Sequence, residues 1–296
     1  MHLSSQPIII LGNPRSGTTL LRLILASHSQ IVIPPEAGFM CWLSQYYASA
    51  APSSWKNKLF LEEFSLEVCK SKKFITWGLS EKEVLQELIS IKPKNYVEAC
   101  VGIYLLYAKV NKSGATVWGD KNNFHTSHIE KLKEFFPQAI YLHIIRDPRD
   151  VACSYRDMQK LETSSSYKPT LPTDISEIAC DWVLNNNSVI KKLAVLPKER
   201  IHTVLYENLV TDPFREIKKI CDSLKIPFED EMLEFHILNK KHQLEPEATL
   251  DWKKRTLEKI TPSQVGRFKN ELSEDDVNNI QFKTADLMKR FGYTPV

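Results

Sequence analysis

The sequence predicts an α/β fold: one domain over residues 1–296, with a mainly parallel central sheet of about five strands flanked by helices. Three observations carry this expectation. Short apolar runs of strand length alternate with longer stretches whose apolar residues recur at helical spacing. Several of those runs stop abruptly at Gly, Pro or charged turn residues. No internal repeat and no linker divides the chain. Strands that alternate with helices bury a parallel sheet between helical layers.

The first strand is the run from Ile8 to Leu11, closed by Gly12. A helix follows over residues 16–27, where Leu20, Leu21, Ile24 and Leu25 share a face. Residues 31–33 form the second strand, stopped by Pro34 and Pro35. Amphipathic helical segments then occupy residues 37–110. The third strand is expected at 115–118 and the fourth at 139–145, with a helix opening at Pro148, because proline suits a first helical turn. Residues 201–205 form the fifth strand, followed by helices as far as Leu233. The last helix, residues 273–290, opens with Ser273 and Asp276 in a start-signal pattern and closes near Gly292. Residues 161–173 (LETSSSYKPTLPT) are the most loop-like stretch.

Hydrophobic residues make up 43% of the 296 and charged residues 25%, enough for a full core and incompatible with wholesale disorder. The net charge of +3 is too small to direct nucleic-acid or membrane binding, so any basic site must be local. The six cysteines are scattered, with no C-x-x-C pair and no Cys/His cluster at zinc spacing, which predicts reduced thiols and no metal. No apolar run is long enough to span a bilayer, and the N-terminus lacks the basic region of a signal peptide. These features predict a cytoplasmic protein without a nucleic-acid partner or membrane span.

Gly12-Asn-Pro-Arg15-Ser16-Gly17-Thr18-Thr19 lies between a strand and a helix, the context that makes a phosphate loop credible. Its glycines let the backbone curl, and the helix N-terminus adds partial positive charge. Thr18 stands where a nucleoside-triphosphate loop needs lysine. The cation is Arg15 instead, inside the loop, where a guanidinium can fork onto a phosphate or sulfonate. A second strand-turn-helix junction carries Arg146 at a strand end and Ser154 eight positions on, placed to converge on one anion. Asp147 and Arg149 are expected to cap and pair locally, and His143 to be a core histidine.

Pro14-Arg15-Ser16-Gly17-Thr18-Thr19-Leu20 resembles the 5′-phosphosulfate loop of sulfotransferases that use 3′-phosphoadenosine 5′-phosphosulfate (PAPS). Its Pro-Arg form is similar to the branch holding tyrosylprotein and many bacterial enzymes. The resemblance implies a P-loop-like three-layer fold and a donor site in which Arg15, Ser16, Gly17, Thr18 and Thr19 hold the 5′-phosphosulfate. It gives the 3′-phosphate to Arg146 and Ser154. Tyr206, in a Tyr-Glu-x-Leu stretch, is implied near the adenine, with a core tyrosine as the plain alternative. Gly266 and Arg267 resemble a late loop that closes over the nucleotide, with a surface turn as the alternative. The resemblance covers the loop core and the C-terminal part, while residues 40–115 match only in helical character.

Sulfuryl transfer needs a base for the acceptor hydroxyl and cations around the moving group. Glu36 follows two stiffening prolines at the ligand edge of the sheet, and nearby phosphates are expected to raise its pKa. Related enzymes use a Glu in that place, so Glu36 is the expected base. Lys121 resembles the lysine that neutralises the bridging oxygen, although Asn122-Asn123 depart from the family's Lys-Thr-Pro pattern. His125 is the second candidate base, and Asp120 is expected to orient Lys121. The doublets Lys72-Lys73, Lys191-Lys192 and Lys240-Lys241 are expected to be solvated faces, while Lys253-Lys254-Arg255 could attract an acidic acceptor. Residues 161–173 are a candidate acceptor lid.

The expected activity is therefore transfer of a sulfuryl group from PAPS to a small-molecule, saccharide or lipid hydroxyl, with adenosine 3′,5′-bisphosphate as product and no metal. Two rivals remain at this point, a P-loop kinase or NTPase and a non-catalytic nucleotide-binding protein on the same fold.

Overall fold

The computed structural model describes residue 4, residues 6–112 and residues 114–296. Its centre is a sheet of five strands in which every pairing is parallel. Strands β1 (Ile8–Leu11), β2 (Ile31–Val32), β3 (Val117–Lys121), β4 (Ile140–Ile145) and β5 (Ile201–Leu205) lie in the order β2-β3-β1-β4-β5. Parallel neighbours need crossovers, which place helices on both faces. Central β1 is accordingly buried throughout: Ile8 and Ile10 join the core on one face, Ile9 and Leu11 the core on the other.

The helices of eight or more residues are α1 (Thr18–Ala26), α2 (Lys58–Lys70), α3 (Glu81–Ile91), α4 (Tyr96–Asn111), α5 (Pro148–Lys160), α6 (Ile175–Leu193), α7 (Pro213–Leu224), α8 (Phe235–His242) and α9 (Glu274–Phe291). Leu21, Leu23, Ile24 and Leu25 of α1, Ile217 and Ile220 of α7 and Phe235 of α8 pack beneath Ile8 and Ile10. The helical middle, α2 to α4, builds an aromatic-rich core against the opposite face. Local signals set the ends. Ser80 and Glu83 form a capping box at α3, and Asp147 caps α5 with Pro148 at its first turn. Ser273 caps α9 through the Asp276 N–H, and Gly292 closes it in the left-handed conformation that glycine favours.

One strand differs from expectation. The third strand, expected at 115–118, runs from Val117 to Lys121. Gly119 and Asp120 resemble turn residues in sequence, yet both are buried in the sheet. A Cβ on Gly119 would lie 2.6 Å from the Ile8 carbonyl oxygen, so glycine is what lets β1 approach. Lys121 is therefore a strand residue, held at a fixed register opposite Ile10.

Because all five strands point the same way, their C-terminal ends form one edge, where ligands of open parallel sheets bind. The loop after β1, Glu36 beyond β2, Lys121 ending β3, Arg146 after β4 and Tyr206 after β5 all meet there. Among the described residues no helix is long and apolar enough to cross a membrane. All six cysteines are free thiols, as their spacing predicts.

Candidate active site

The loop after β1 is shaped by backbone conformation. Arg15 (φ 67°) and Gly17 (φ 96°) are both left-handed, which turns the chain tightly before α1 begins at Thr18. For Arg15 that conformation is strained, a feature that clusters at functional sites. Gly12 and Gly17 are also places of contact. A Cβ at Gly12 would meet the Ile144 carbonyl at 2.6 Å, and one at Gly17 would meet the Tyr206 ring at 2.6 Å. Asn13 pins the loop from below by donating to Tyr155 Oη (3.1 Å) and accepting from Asn185 (2.8 Å).

Arg15 and Arg146 meet at this loop. The Arg15 Nε donates to Ser154 Oγ (3.0 Å), and its terminal nitrogen donates to the Trp252 carbonyl (3.1 Å). Arg146 donates to the carbonyls of Arg15 (3.1 Å) and Gln264 (2.8 Å) and lies 4.5 Å from the centre of the Tyr206 ring. Neither arginine is ion-paired with a carboxylate among the described residues. Burial, reinforced by Arg146, lowers the Arg15 guanidinium to about 10. The two expected anchors are thus one cluster, with Arg15 resting on the serine assigned to the other end. Tyr206 serves as the floor of this cluster, beneath Gly17 and Arg146.

At the other end of the same edge, Glu36 accepts from Lys73 Nζ (2.5 Å) and from Lys121 Nζ. Burial pushes the Glu36 carboxyl up, but Lys121, Lys253 and Lys73 outweigh it and hold it well below the usual carboxylate range. The sequence ties a raised Glu36 pKa to nearby phosphates, whereas the side chains around this carboxylate are lysines, and they set the opposite direction. Lys121 is drawn down to about 8 by burial, with Glu36 opposing. Lys73, expected on a solvated face, is instead a partner of this carboxylate, while Lys72 stays exposed.

A cavity of about 580 Å³ joins the two ends. Arg15, Gly17, Thr18, Thr19, Glu36, Lys121, Arg146, Ser154, Tyr206 and Arg267 all line it. Ser16 is buried just behind, its hydroxyl without a hydrogen-bond partner among the described residues. The residue range 251–264 forms much of the far wall, and Tyr167 to Thr170 come from the loop expected to be a lid. That loop is tied to the wall by Thr163 on Asp251 and by Ser165 on the Ala248 carbonyl, both at 2.5 Å.

The sulfotransferase family model matches residues 7–230. The chain belongs to the sulfotransferase family. It is 24% identical to protein-tyrosine sulfotransferase A of Caenorhabditis elegans, over 98% of this chain and 68% of that protein. It is 22% identical, over 75% of this chain and 63% of the other, to the omega-hydroxy-beta-dihydromenaquinone-9 sulfotransferase of Mycobacterium tuberculosis. Across the curated relatives it matches, the chain spans from 27% to 68% of their lengths. The sulfotransferase domain of the Synechococcus PCC 7002 olefin synthase superposes with a TM-score of 0.69 at 19% identity, covering 99% of this chain and 97% of that one. Membership makes this chain a transferase of sulfuryl groups and implies PAPS as donor.

The sulfotransferase site leaves some expected residues out. His125 is fully buried, with Nε2 2.8 Å from Asp120 Oδ2 and Nδ1 3.7 Å from Cys41 Sγ, and it does not reach the cavity. Asp120 also accepts from Tyr104 Oη (2.7 Å), so it holds the core beneath Lys121 rather than orienting that lysine. The alternation of the strand explains both: Asp120 and Lys121 point to opposite faces. Gly266 is left-handed (φ 73°) and donates to Asp150 (2.7 Å), shaping a turn. Arg267 lines the cavity with its charge engaged by Asp157 and Glu271. His143 is a core histidine, 2.9 Å from Asn186, and Asp147 and Arg149 pair locally, as expected.

Three sulfotransferase features escaped sequence reasoning. Lys73 and Lys253 carried no signal beyond membership of basic clusters on helical or turn segments. The aromatic pair Trp42 and Phe124, 5.2 Å apart on the cavity wall, comes from two segments that only folding brings together. The ion network of Arg22, Glu245 and Lys253 likewise links positions more than two hundred residues apart.

Proposed function

We propose that this protein transfers a sulfuryl group from PAPS to a hydroxyl acceptor by in-line displacement, within one domain spanning residues 1–296. The observation that carries the reading is the convergence of Arg15 and Arg146 at one strand edge, neither neutralised by a carboxylate. Two buried donor groups there lack partners among the described residues, the Ser16 hydroxyl and the Arg146 Nε, which fits a site made for phosphate oxygens. The single-domain reading is supported by Phe235 and residues 251–267, which lie beyond the family match yet wall the cavity.

In this reading Arg15, the loop N–H groups, Ser16, Thr18 and Thr19 hold the 5′-phosphosulfate, and Arg146 with Ser154 holds the 3′-phosphate. Glu36 takes the acceptor proton as the hydroxyl oxygen attacks sulfur. The new oxygen–sulfur bond forms as the bond to the bridging phosphate oxygen breaks, and the electron pair leaves on adenosine 3′,5′-bisphosphate. Lys121 neutralises that oxygen. A positioned base contributes roughly 10²–10⁴ in rate, and one such electrostatic donor roughly 10²–10³. Trp42, Phe124, Met158 and Tyr167 offer the acceptor an apolar wall, which suits a small molecule, saccharide ring or lipid. The relatives named for a protein tyrosine and for a menaquinone support hydroxyl acceptors in general rather than one class.

The test pairs two measurements. Adenosine 3′,5′-bisphosphate should raise the melting temperature while ATP with Mg²⁺ does not, because Thr18 stands in the lysine position. Labelled PAPS should pass ³⁵S to an acceptor in a panel of phenols, sugars and hydroxylated lipids. Equal stabilisation by ATP–Mg²⁺, or no transfer across the panel, would overturn the assignment in favour of a kinase-like or a non-catalytic protein.

A further inference from the structure

A buried ion network runs from the phosphate-loop helix to the catalytic end of the cavity. Arg22 of α1 is 2.6 Å from Glu245, with side chains only 2% and 3% exposed. It also donates to the carbonyls of Ile33 and Leu244. The other Glu245 oxygen accepts from Lys253 Nζ and Thr249 Oγ1, both at 2.5 Å. Lys253, with a side chain 10% exposed, lines the cavity with Glu36, Lys73 and Lys121. Its neighbour Trp252 accepts from Arg15 through its carbonyl. One turn of chain thus touches both ends of the site, and three charges are buried to hold it there. Removing charges from water is costly unless they are paired and used.

We propose that Lys253 is a second lysine of the transfer centre, beside Lys121, and that Glu245, anchored by Arg22, is its positioning residue. This rests on the sulfotransferase reading above. In the step itself sulfur exchanges the bridging phosphate oxygen for the acceptor oxygen, and the acceptor proton goes to Glu36. Lys253 adds positive charge where negative charge collects on the sulfuryl oxygens. Glu245 holds that ammonium at the cavity wall, as Glu36 holds Lys73 and Lys121. Lys253 is therefore a catalytic residue in this proposal, and its effect falls on the moving group rather than on the nucleotide.

That distinction sets the experiment. Lys253→Met is expected to lower kcat by about 10²–10³, while the affinity for adenosine 3′,5′-bisphosphate, which has no sulfuryl group, stays within about threefold by calorimetry. Lys253→Arg should keep kcat within about tenfold of wild type, because charge is retained. Glu245→Gln should lower kcat by about tenfold with the same unchanged product affinity, because the lysine is kept but no longer aimed. Wild-type kcat in the Lys253→Met variant, or a kcat loss matched by an equal loss of product affinity, overturns the proposal. Wild-type protein assayed alongside separates the two levels. If it transfers no ³⁵S, the sulfotransferase reading itself fails, whereas an active wild type with an unaffected Lys253→Met variant removes only this inference.

Discussion

Both ends of the cavity are built from cations, yet different partners hold them. At the arginine end the partners are neutral: the carbonyls of Arg15, Trp252 and Gln264, the hydroxyl of Ser154 and the Tyr206 ring. At the lysine end the partners are carboxylates: Lys73 and Lys121 on Glu36, and Lys253 on Glu245. Backbone carbonyls orient a guanidinium without cancelling its charge, so the first end is ready for a permanent anion. Carboxylates cancel the charge of the lysines they hold. The first design suits binding, and the second suits a charge that develops during reaction. Side-chain chemistry reinforces the division. Arginine keeps its charge and forks onto phosphate, whereas a buried lysine titrates.

The largest effect that tests this comparison is expected at the lysine end. Glu36→Gln should reduce kcat by roughly 10²–10⁴ with little change in affinity for adenosine 3′,5′-bisphosphate. The control is His125→Gln. Burial disfavours the His125 imidazolium, but Asp120 and Cys41 outweigh it and hold it at about 10. A raised histidine pKa contributes stability below its unfolded value near 6.5 that is lost as the pH rises through the folded value near 10. Breaking this buried pair should cost roughly 3–5 kcal/mol in urea unfolding at neutral pH, with kcat per folded molecule unchanged. A kinetic defect in His125→Gln equal to that of Glu36→Gln would reverse the assignment of the base.

Next in size is the arginine end. Arg146→Met removes two oriented donors and the charge above Tyr206, and should weaken adenosine 3′,5′-bisphosphate binding by about 10²–10⁴, since two hydrogen bonds to charged groups at about 1.5–3 kcal/mol each total about 3–6 kcal/mol. The loss should appear in KM for PAPS more than in kcat at saturation. A variant that bound product normally and lost only kcat would erase the division between the two ends.

A smaller and more specific effect follows from titration. In the proposed mechanism Lys121, drawn down to about 8 by burial, acts only as the ammonium ion. For the free enzyme kcat/KM should therefore fall above about pH 8, by about tenfold per unit. Bound donor anions favour the ammonium, so the corresponding limb in kcat should lie at higher pH. Lys121→Arg should abolish the limb, because a guanidinium does not titrate in this range. An unchanged alkaline limb in that variant would move the titration from Lys121 to another group.

These contrasts also show what could be read from the chain. The arginine end was legible because its residues are local to two strand-turn-helix junctions: Gly12 to Thr19, and Arg146 with Ser154. Glu36 was legible for the same reason, fixed by two prolines at a strand end. Sequence did not show that Arg15 rests on Ser154, because that contact joins positions 139 residues apart. Nor did it show that Asp120 serves His125 and Tyr104. Sequence signals end the third strand before Gly119, so the alternation of the residues beyond it is not visible there. Lys73 and Lys253 were unreadable for a more general reason: a lysine in a basic cluster reads as solvated until a buried carboxylate is shown opposite it.

The smallest expected effect concerns the wall between the two ends. Tyr167 lines the cavity from the 161–173 segment, and Lys73 Nζ lies 6.0 Å from its ring. Among the described residues the hydrogen bonds and ion pairs of Arg146 and Glu36 involve no residue of this segment, so it has no polar route to donor binding or proton transfer. If it covers the acceptor, Tyr167→Ala should raise acceptor KM several-fold, leave product affinity unchanged and leave kcat within about twofold. Because Thr163 and Ser165 hold the segment to residues 248–251, the substitution removes a wall without releasing the strap. A change in PAPS KM with none in acceptor KM would place this loop over the nucleotide instead, and would extend the binding end of the cavity at the expense of the reacting one.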